Sequence, residues 1–150
     1  MPYELNVPAI TATVVADEER LNFLPKLFGR GAYMLGEQQV YALAGYYCEE
    51  YQGGYWRFNT LSCGGGFMCP DSDDTYQVNV SSNGYSGEMS AEAFGIFLTS
   101  TALNRMARKA QEQGTTDLCD HLIVQWEHLR AFAVPPGESG RTFRASVCHS

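Results

Sequence analysis

The chain has 150 residues, 45% of them hydrophobic and 18% charged, which suits one domain with its own core and excludes a disordered tail or a coiled coil. Lys and Arg number 10 against 17 Asp and Glu, a formal net charge of -7 that speaks against nonspecific binding to nucleic acid or anionic membrane. The excess is local: between residues 37 and 92 eight acidic side chains face one cation, Arg57, while the flanking segments nearly balance.

Residues 1–16 read as extended, because Pro2 and Pro8 oppose an early helix. No cation precedes the apolar positions of this segment, as a secretory signal requires, and no run approaches the length of a membrane span. Asp17, Glu18 and Glu19 open a short helix, which Pro25 is expected to limit before Gly29 and Gly31 break the chain. A longer helix is expected from about Glu37 to Tyr51, where Val40, Ala44, Tyr47 and Tyr51 recur on one stripe and Gly53-Gly54 stops it.

The period then changes to two. Trp56, Phe58 and Thr60 share one face of a strand with Arg57 and Asn59 on the other, and Gly64-Gly65-Gly66 turns the chain into Phe67-Met68-Cys69, with Pro70 ending the pairing. Tyr76, Val78 and Val80 alternate along a third strand, Tyr76 to Ser81, and Asn83-Gly84 signals a turn after it. Ser90 caps a long helix that carries Phe94, Phe97, Leu98, Thr101 and Met106 inward and closes at Gly114. A final helix, about Asp117 to Ala133, carries Leu118, Leu122, Trp126 and Leu129 on one stripe and ends before Pro135-Pro136-Gly137. The expected fold class is α+β: residues 1–134 as one compact domain with a small, mainly antiparallel sheet of three to four strands and about four helices, and residues 135–150 as a loosely ordered tail.

Five scattered cysteines, Cys48, Cys63, Cys69, Cys119 and Cys148, fit a reducing cytoplasm better than a disulfide framework. Cys63 and Cys69 stand six apart across the glycine turn, and His121 and His128 share a helix face, but no spacing matches a zinc pattern. A small Cys/His hydrolase built on these residues needs a tertiary contact that the sequence does not supply, since no nucleophile elbow or cysteine-protease context is present. The glycine triplet leads into a strand, not a helix N-terminus, so it reads as a hairpin turn and not a phosphate cradle. Read as a calcium loop, Asp71-Ser72-Asp73-Asp74 fails at Tyr76 and Ser82, where glycine and glutamate are required. Glu88 and Glu92 could pose as a carboxylate pair, but the helix dipole alone explains Glu92. Tyr47, Tyr51, Tyr55, Trp56, Phe58, Phe67 and Tyr76 read as core, because Arg57 is the one cation near them and a stacking platform for nucleic acid needs more. Glu49 and Glu50 are expected in the last turn of a helix, where a carboxylate is disfavoured by about 0.3–1 kcal/mol; this invites a partner, with fully solvated side chains of negligible cost under salt screening as the equal alternative.

Taken in order, Arg20-Leu21-x-Phe23-x-Pro25-x-x-Phe28-Gly29, Cys48-Glu49-Glu50-Tyr51, Gly53-Gly54-Tyr55-Trp56-x-Phe58-x-x-Leu61-Ser62, Gly65, Pro70-Asp71 and Asn83-Gly84-Tyr85-x-Gly87-Glu88-Met89-Ser90-Ala91-Glu92-Ala93-x-Gly95 resemble the antirestriction proteins of the ArdB/KlcA type, found on plasmids and other mobile elements of bacteria. The resemblance covers roughly residues 12 to 130 and departs at Cys63, Cys69 and the segment after Pro135. It implies a compact α+β domain that inhibits type I restriction–modification enzymes and so protects incoming unmodified DNA. It implies no enzyme, and no catalytic, cofactor or metal residues.

The expected partner is the restriction complex or an accessory factor of it, with neither direct nucleic-acid binding nor a membrane. The candidate contact residues are Glu49, Glu50, Asp71, Asp73, Asp74 and Glu88. The alternatives are the Cys/His hydrolase and an interaction module with a target other than a restriction enzyme.

Overall fold

The structure, a computed structural model, describes residues 9–80 and 84–133. A short edge strand, β1 (Ala12–Val14), leads through a 3-10 turn at Asp17–Glu19 into helix α1 (Arg20–Phe28) and then α2 (Tyr33–Tyr47). Four strands follow: β2 (Trp56–Leu61), β3 (Gly66–Pro70), β4 (Thr75–Val80) and β5 (Tyr85–Ser90). Helices α3 (Ala91–Glu112) and α4 (Thr116–Ala133) complete the α+β domain. The proposed tail, 135–150, lies outside the described residues, as do Cys148, Pro2, Pro8 and Asn83.

Several boundaries differ from expectation, each for a physical reason. Pro25 sits inside α1 and does not limit it. The N–H it lacks would face the carbonyl of Leu21, a residue 88% exposed, so the lost bond falls on the solvent side of the helix and not in the core. Helix α2 begins four residues earlier than expected and ends at Tyr47, so Glu49 and Glu50 lie in a turn beyond its C-cap, Cys48, and not in its last turn. The expected single sheet is two antiparallel ones, β1-β2-β3 and β4-β5. The fifth strand, β5, carries no strong sequence signal, because Tyr85 and Met89 are its sole large apolar residues.

The β2–β3 hairpin shows why its sequence fits. The Leu61 N–H donates to the Gly65 carbonyl at 3.1 Å, and the Asp71 N–H to the Tyr55 carbonyl at 2.9 Å. In the register Arg57↔Cys69, Phe58↔Met68, this leaves the backbone groups of Gly66, Met68 and Pro70 pointing out of the ladder. Pro70 therefore stays paired with Trp56, where no donor is needed, as the last residue of β3. The outward groups of Met68 meet Thr99 of α3, whose hydroxyl accepts the Met68 N–H and donates to the Met68 carbonyl, both at 3.2 Å. A buried helix hydroxyl thus closes a strand edge that would otherwise invite another chain.

Both faces of this sheet are covered. On one, Phe58 stacks on Phe23 of α1 with ring centroids 4.8 Å apart, and Trp56 meets Tyr41 of α2 edge-on at 5.3 Å. On the other, Phe67 stacks on Phe132 of α4 at 5.9 Å, and Cys69 lies against Gly95 of α3. Asn59, on the face opposite Trp56 and Phe58, is consequently buried and places its amide 3.5 Å from the Cys69 sulfur. Thr60 is exposed although it shares the parity of Trp56 and Phe58, because it sits at the open end of the strand.

Helix α3 is the centre of the core. Its residues from Phe94 to Leu103 are buried on every side, where a single inward face was expected. A helix without charge over that span can be enclosed by α2, α4 and both sheets. Ser100 and Thr101 tolerate burial by donating to the Phe97 carbonyl at 3.1 and 2.8 Å. At its start the Ser90 hydroxyl accepts the Ala93 N–H at 3.1 Å, the cap expected from the sequence.

Candidate functional site

Three of the six candidate carboxylates lie at one end of the β2–β3 hairpin, and two more, Glu49 and Glu50, stand in the turn that precedes the loop into β2. Asp71, Asp73 and Asp74 form the exposed turn between β3 and β4, held by the Ser72 hydroxyl, which accepts the Asp74 N–H at 3.0 Å and lies 3.0 Å from the Tyr76 hydroxyl. Glu49 and Glu50, also exposed, directly precede Tyr51, whose hydroxyl accepts the Trp56 indole N–H at 2.7 Å; Trp56 in turn pairs with Pro70, next to Asp71. Burial pushes the Tyr51 hydroxyl pKa up, with the Trp56 hydrogen bond opposing it. Glu88 is exposed on β5 opposite Gln77, along the outer face of the second hairpin. That face carries a polar ladder in which Gln77 donates to Ser86 at 3.2 Å and Ser86 to Asn79 at 2.8 Å.

Tertiary structure adds members that the sequence kept apart. A depression of about 510 Å³ is lined by Arg57, Asp73, Asp74, Ser90 and Glu92. A neighbouring one of about 460 Å³ shares Arg57 and Glu92 and adds Asp17, Arg20, Tyr55 and Asp71. In sequence the helix dipole alone accounts for Glu92, and Asp17 reads as a helix opener; no local signal marks either as part of this face. Arg57 is its central cation and pairs with Asp71 at 3.4 Å. The half-exposed pair is worth little in stability, but it interrupts the acidic surface at its middle.

The cysteines and histidines do not assemble. Cys69 is buried against α3, and burial raises its thiol pKa, with the Arg57 charge opposing the shift. Cys63 is exposed in the turn; its sulfur is 3.5 Å from the Gly64 carbonyl oxygen and 3.8 Å from the His128 carbonyl oxygen, a backbone atom and not the imidazole. His121 is occupied at the end of α1, where its Nε2 donates to the Lys26 and Leu27 carbonyls at 2.9 and 3.2 Å. Among the described residues no three of His, Cys, Asp or Glu come close enough to share a metal ion. We expect a maleimide reagent at neutral pH to label Cys63 well before Cys69, since a raised pKa leaves less thiolate to react. Peptide mass mapping reads the order, and equal labelling of the two would contradict the burial of Cys69.

The residues that carry the family resemblance mostly hold the fold. The Arg20 guanidinium lies over the rings of Phe58 and Tyr55, 4.1 and 4.9 Å from their centroids, and donates to the Trp56 carbonyl at 3.1 Å. Trp56 packs edge-on against Tyr51 at 6.0 Å, so segments distant in sequence close on one aromatic knot. Gly95 lets α3 touch β3. Among the described residues no helix is long and apolar enough to cross a membrane.

Comparison with known proteins agrees with this arrangement over nearly the whole chain. The family described as "Antirestriction protein" matches residues 49–146. The antirestriction protein KlcA of Escherichia coli is 42% identical over 136 residues, covering 91% of this chain and 94% of KlcA. The putative antirestriction protein YubI of Escherichia coli (strain K12) is 43% identical over 119 residues, 77% of this chain and 83% of that protein. A solved structure superposes with a TM-score of 0.79 at 40% identity, covering 94% of this chain and 99% of the other. It comes from work on the KlcA and ArdB proteins that reports a novel fold and antirestriction activity against Type I DNA restriction systems in vivo but not in vitro.

Proposed function

The chain belongs to the antirestriction protein family, and from that premise we propose that it inhibits type I restriction–modification enzymes in the bacterial cytoplasm, so that unmodified mobile-element DNA escapes cleavage. The supporting observation is the likeness to KlcA in sequence and fold across almost the entire chain. It acts as an inhibitor by contact with protein, not as an enzyme.

Charge argues against imitation of DNA. A domain of this length has a radius of gyration of about 15 Å and spans roughly 35–40 Å, over which duplex DNA carries about 20 negative charges. The net charge of this chain is -7, and Arg57 breaks its acidic face. The contact is therefore with the restriction complex, or with an accessory factor of it, outside the DNA-binding cleft. An accessory factor also suits a family whose KlcA and ArdB members act in vivo but not in vitro: the cell supplies something that a purified reaction lacks.

The test is transfer of unmodified phage or plasmid DNA into a host with a type I restriction system, with and without this protein. Increased survival of the DNA is expected, and no gain sinks the reading for that system. Within that assay, reversing Glu49, Glu50, Asp73 and Asp74 to lysine together is expected to cut protection by about tenfold or more, the scale of losing one good contact cluster. Unchanged protection would remove the acidic face from the contact.

A further inference from the structure

At the other end of the β2–β3 hairpin, by the Gly64-Gly65 turn, lies a cavity of about 410 Å³ that the acidic face does not include. Its floor is apolar, made by Phe23 and Leu27 of α1 and by Leu61 of β2, all buried. The glycine turn forms one wall against α4. A Cβ on Gly65 would come 2.9 Å from the Gln125 side-chain oxygen and 3.2 Å from the His128 Cβ, so glycine there lets the turn approach the helix. The volume lies within the range of ligand-sized pockets and admits one large apolar side chain.

The rim carries two opposite charges, Glu19 and Lys26. With Phe23 they follow a helical repeat along one side of the chain, acidic, apolar, basic at i, i+4 and i+7, so the charges stand about 10 Å apart along the axis with the apolar floor between them. Both are exposed, and the salt bridge among the described residues is elsewhere, between Arg57 and Asp71. Glu19 accepts one long bond, 3.4 Å from the Asn22 amide.

We propose that this cleft docks a helix of a protein partner that presents a basic, an apolar and an acidic side chain at i, i+4 and i+7, the apolar one filling the cavity. Complementarity selects this occupant: its cation meets Glu19 and its carboxylate meets Lys26 only if they share the spacing of one helix face, and the knob between them buries itself on Phe23, Leu27 and Leu61. The cleft is a second contact surface for the inhibition proposed above, and its biological role rests on that reading; the docking chemistry stands apart from it.

Two measurements separate them. In the first, an alanine-based helical peptide with Lys, Leu and Glu at i, i+4 and i+7 is titrated into the protein and followed by amide chemical shifts, beside a control peptide with Lys at both charged positions. The mixed peptide is expected to shift resonances around Phe23, Thr60 and Gly65 with an affinity several-fold above the control; equal shifts from both, or none, overturn the docking chemistry whatever the protein does in cells. In the second, Glu19→Lys with Lys26→Glu, which keeps the net charge, and Thr60→Trp, which plugs the mouth, are compared with the parent in the DNA-transfer assay. Each is expected to lower protection by about tenfold or more; Thr60→Trp leaves the melting temperature unchanged, and the charge swap, which sets both residues against the α1 dipole, lowers it by about 2–4 °C, too little to unfold the protein in the assay. If the parent protects and both variants protect equally well, the cleft is not a contact surface although the inhibitor reading stands. A parent that fails to protect overturns the inhibitor reading instead. Ala16→Trp, another rim position, replaces Thr60→Trp should the latter lower the melting temperature.

Discussion

Gly95→Val is expected to destabilise the protein by about 3 kcal/mol or more, at the severe end of overpacking, because the site has no room even for a methyl group. A Cβ at this position would stand 2.5 Å from both the Met68 carbonyl oxygen and the Cys69 Cα, and closer still to the Cys69 Cβ. Two of these atoms are backbone in a strand buried from end to end, so relief requires moving α3 as a body away from β3. That movement would pull Thr99, one turn further along, out of its bonds to Met68, and would open Phe97 and Leu98. For a domain of this size the loss corresponds to a melting temperature lower by about 6–12 °C. Gly45→Ala is the natural control: the position is exposed in α2 with nothing within 4 Å, and its melting temperature should hold or rise slightly. A Gly95→Val protein melting within about 2 °C of the parent would mean that helix and strand do not approach this closely.

Thr99→Val carries the second large expectation, a loss of about 2–4 kcal/mol. Valine keeps the shape of threonine and removes only the hydroxyl, so packing barely changes while the Met68 N–H and carbonyl lose their partner inside the core. Neither group can turn to water, since Met68 and Thr99 are both fully buried. Thr99→Ser, which restores the hydroxyl and gives up a methyl group, should cost about 1 kcal/mol and thereby separate hydrogen bonding from volume. Urea unfolding of the three proteins reads the difference. Equal stability for the valine and threonine forms would show that the strand edge finds another partner.

Both predictions depend on contacts that sequence periodicity cannot express. The alternation in β2 and the glycine turn after it were legible because they are local: side chains two residues apart share a strand face whatever lies opposite. What lies opposite is not local. Nothing local buries Asn59 until α3 and α4 cover the second face of the sheet, and Phe94 to Leu103 reads as one stripe until it is enclosed all round. Proline inside a helical pattern reads as a stop, yet α1 passes through Pro25, where the lost hydrogen bond lies on the solvent side. The apolar stripe of α2 was placed correctly at Val40, Ala44 and Tyr47, while its C-terminal end was extended to Tyr51 because that ring packs inward from beyond the helix.

The candidate site divides the same way. The acidic stretch from residue 37 to 92 is visible as composition, and three of its members, Asp71, Asp73 and Asp74, share the turn at one end of a hairpin. Glu92 and Asp17 join them only through the crossing of α3 and the β1–α1 connection, and Cys63 and Cys69, six apart in sequence, part into an exposed turn before β3 and a buried position within it. The spacing of Glu19, Phe23 and Lys26 was present in the sequence from the start. It acquired meaning once the glycine turn and α4 closed a cavity beside it.

The sequence by itself determined the class of fold, the turns, the capped start of α3 and, through ordered motifs such as Gly53-Gly54-Tyr55-Trp56, the family. Backbone preferences and short spacings act over a few residues, and motif residues of this kind bind the fold to itself. Tertiary structure alone decided which carboxylates share a face, where Arg57 interrupts it and where an apolar cavity opens. Those properties belong to surfaces assembled from distant segments, and surfaces form only when the core has packed.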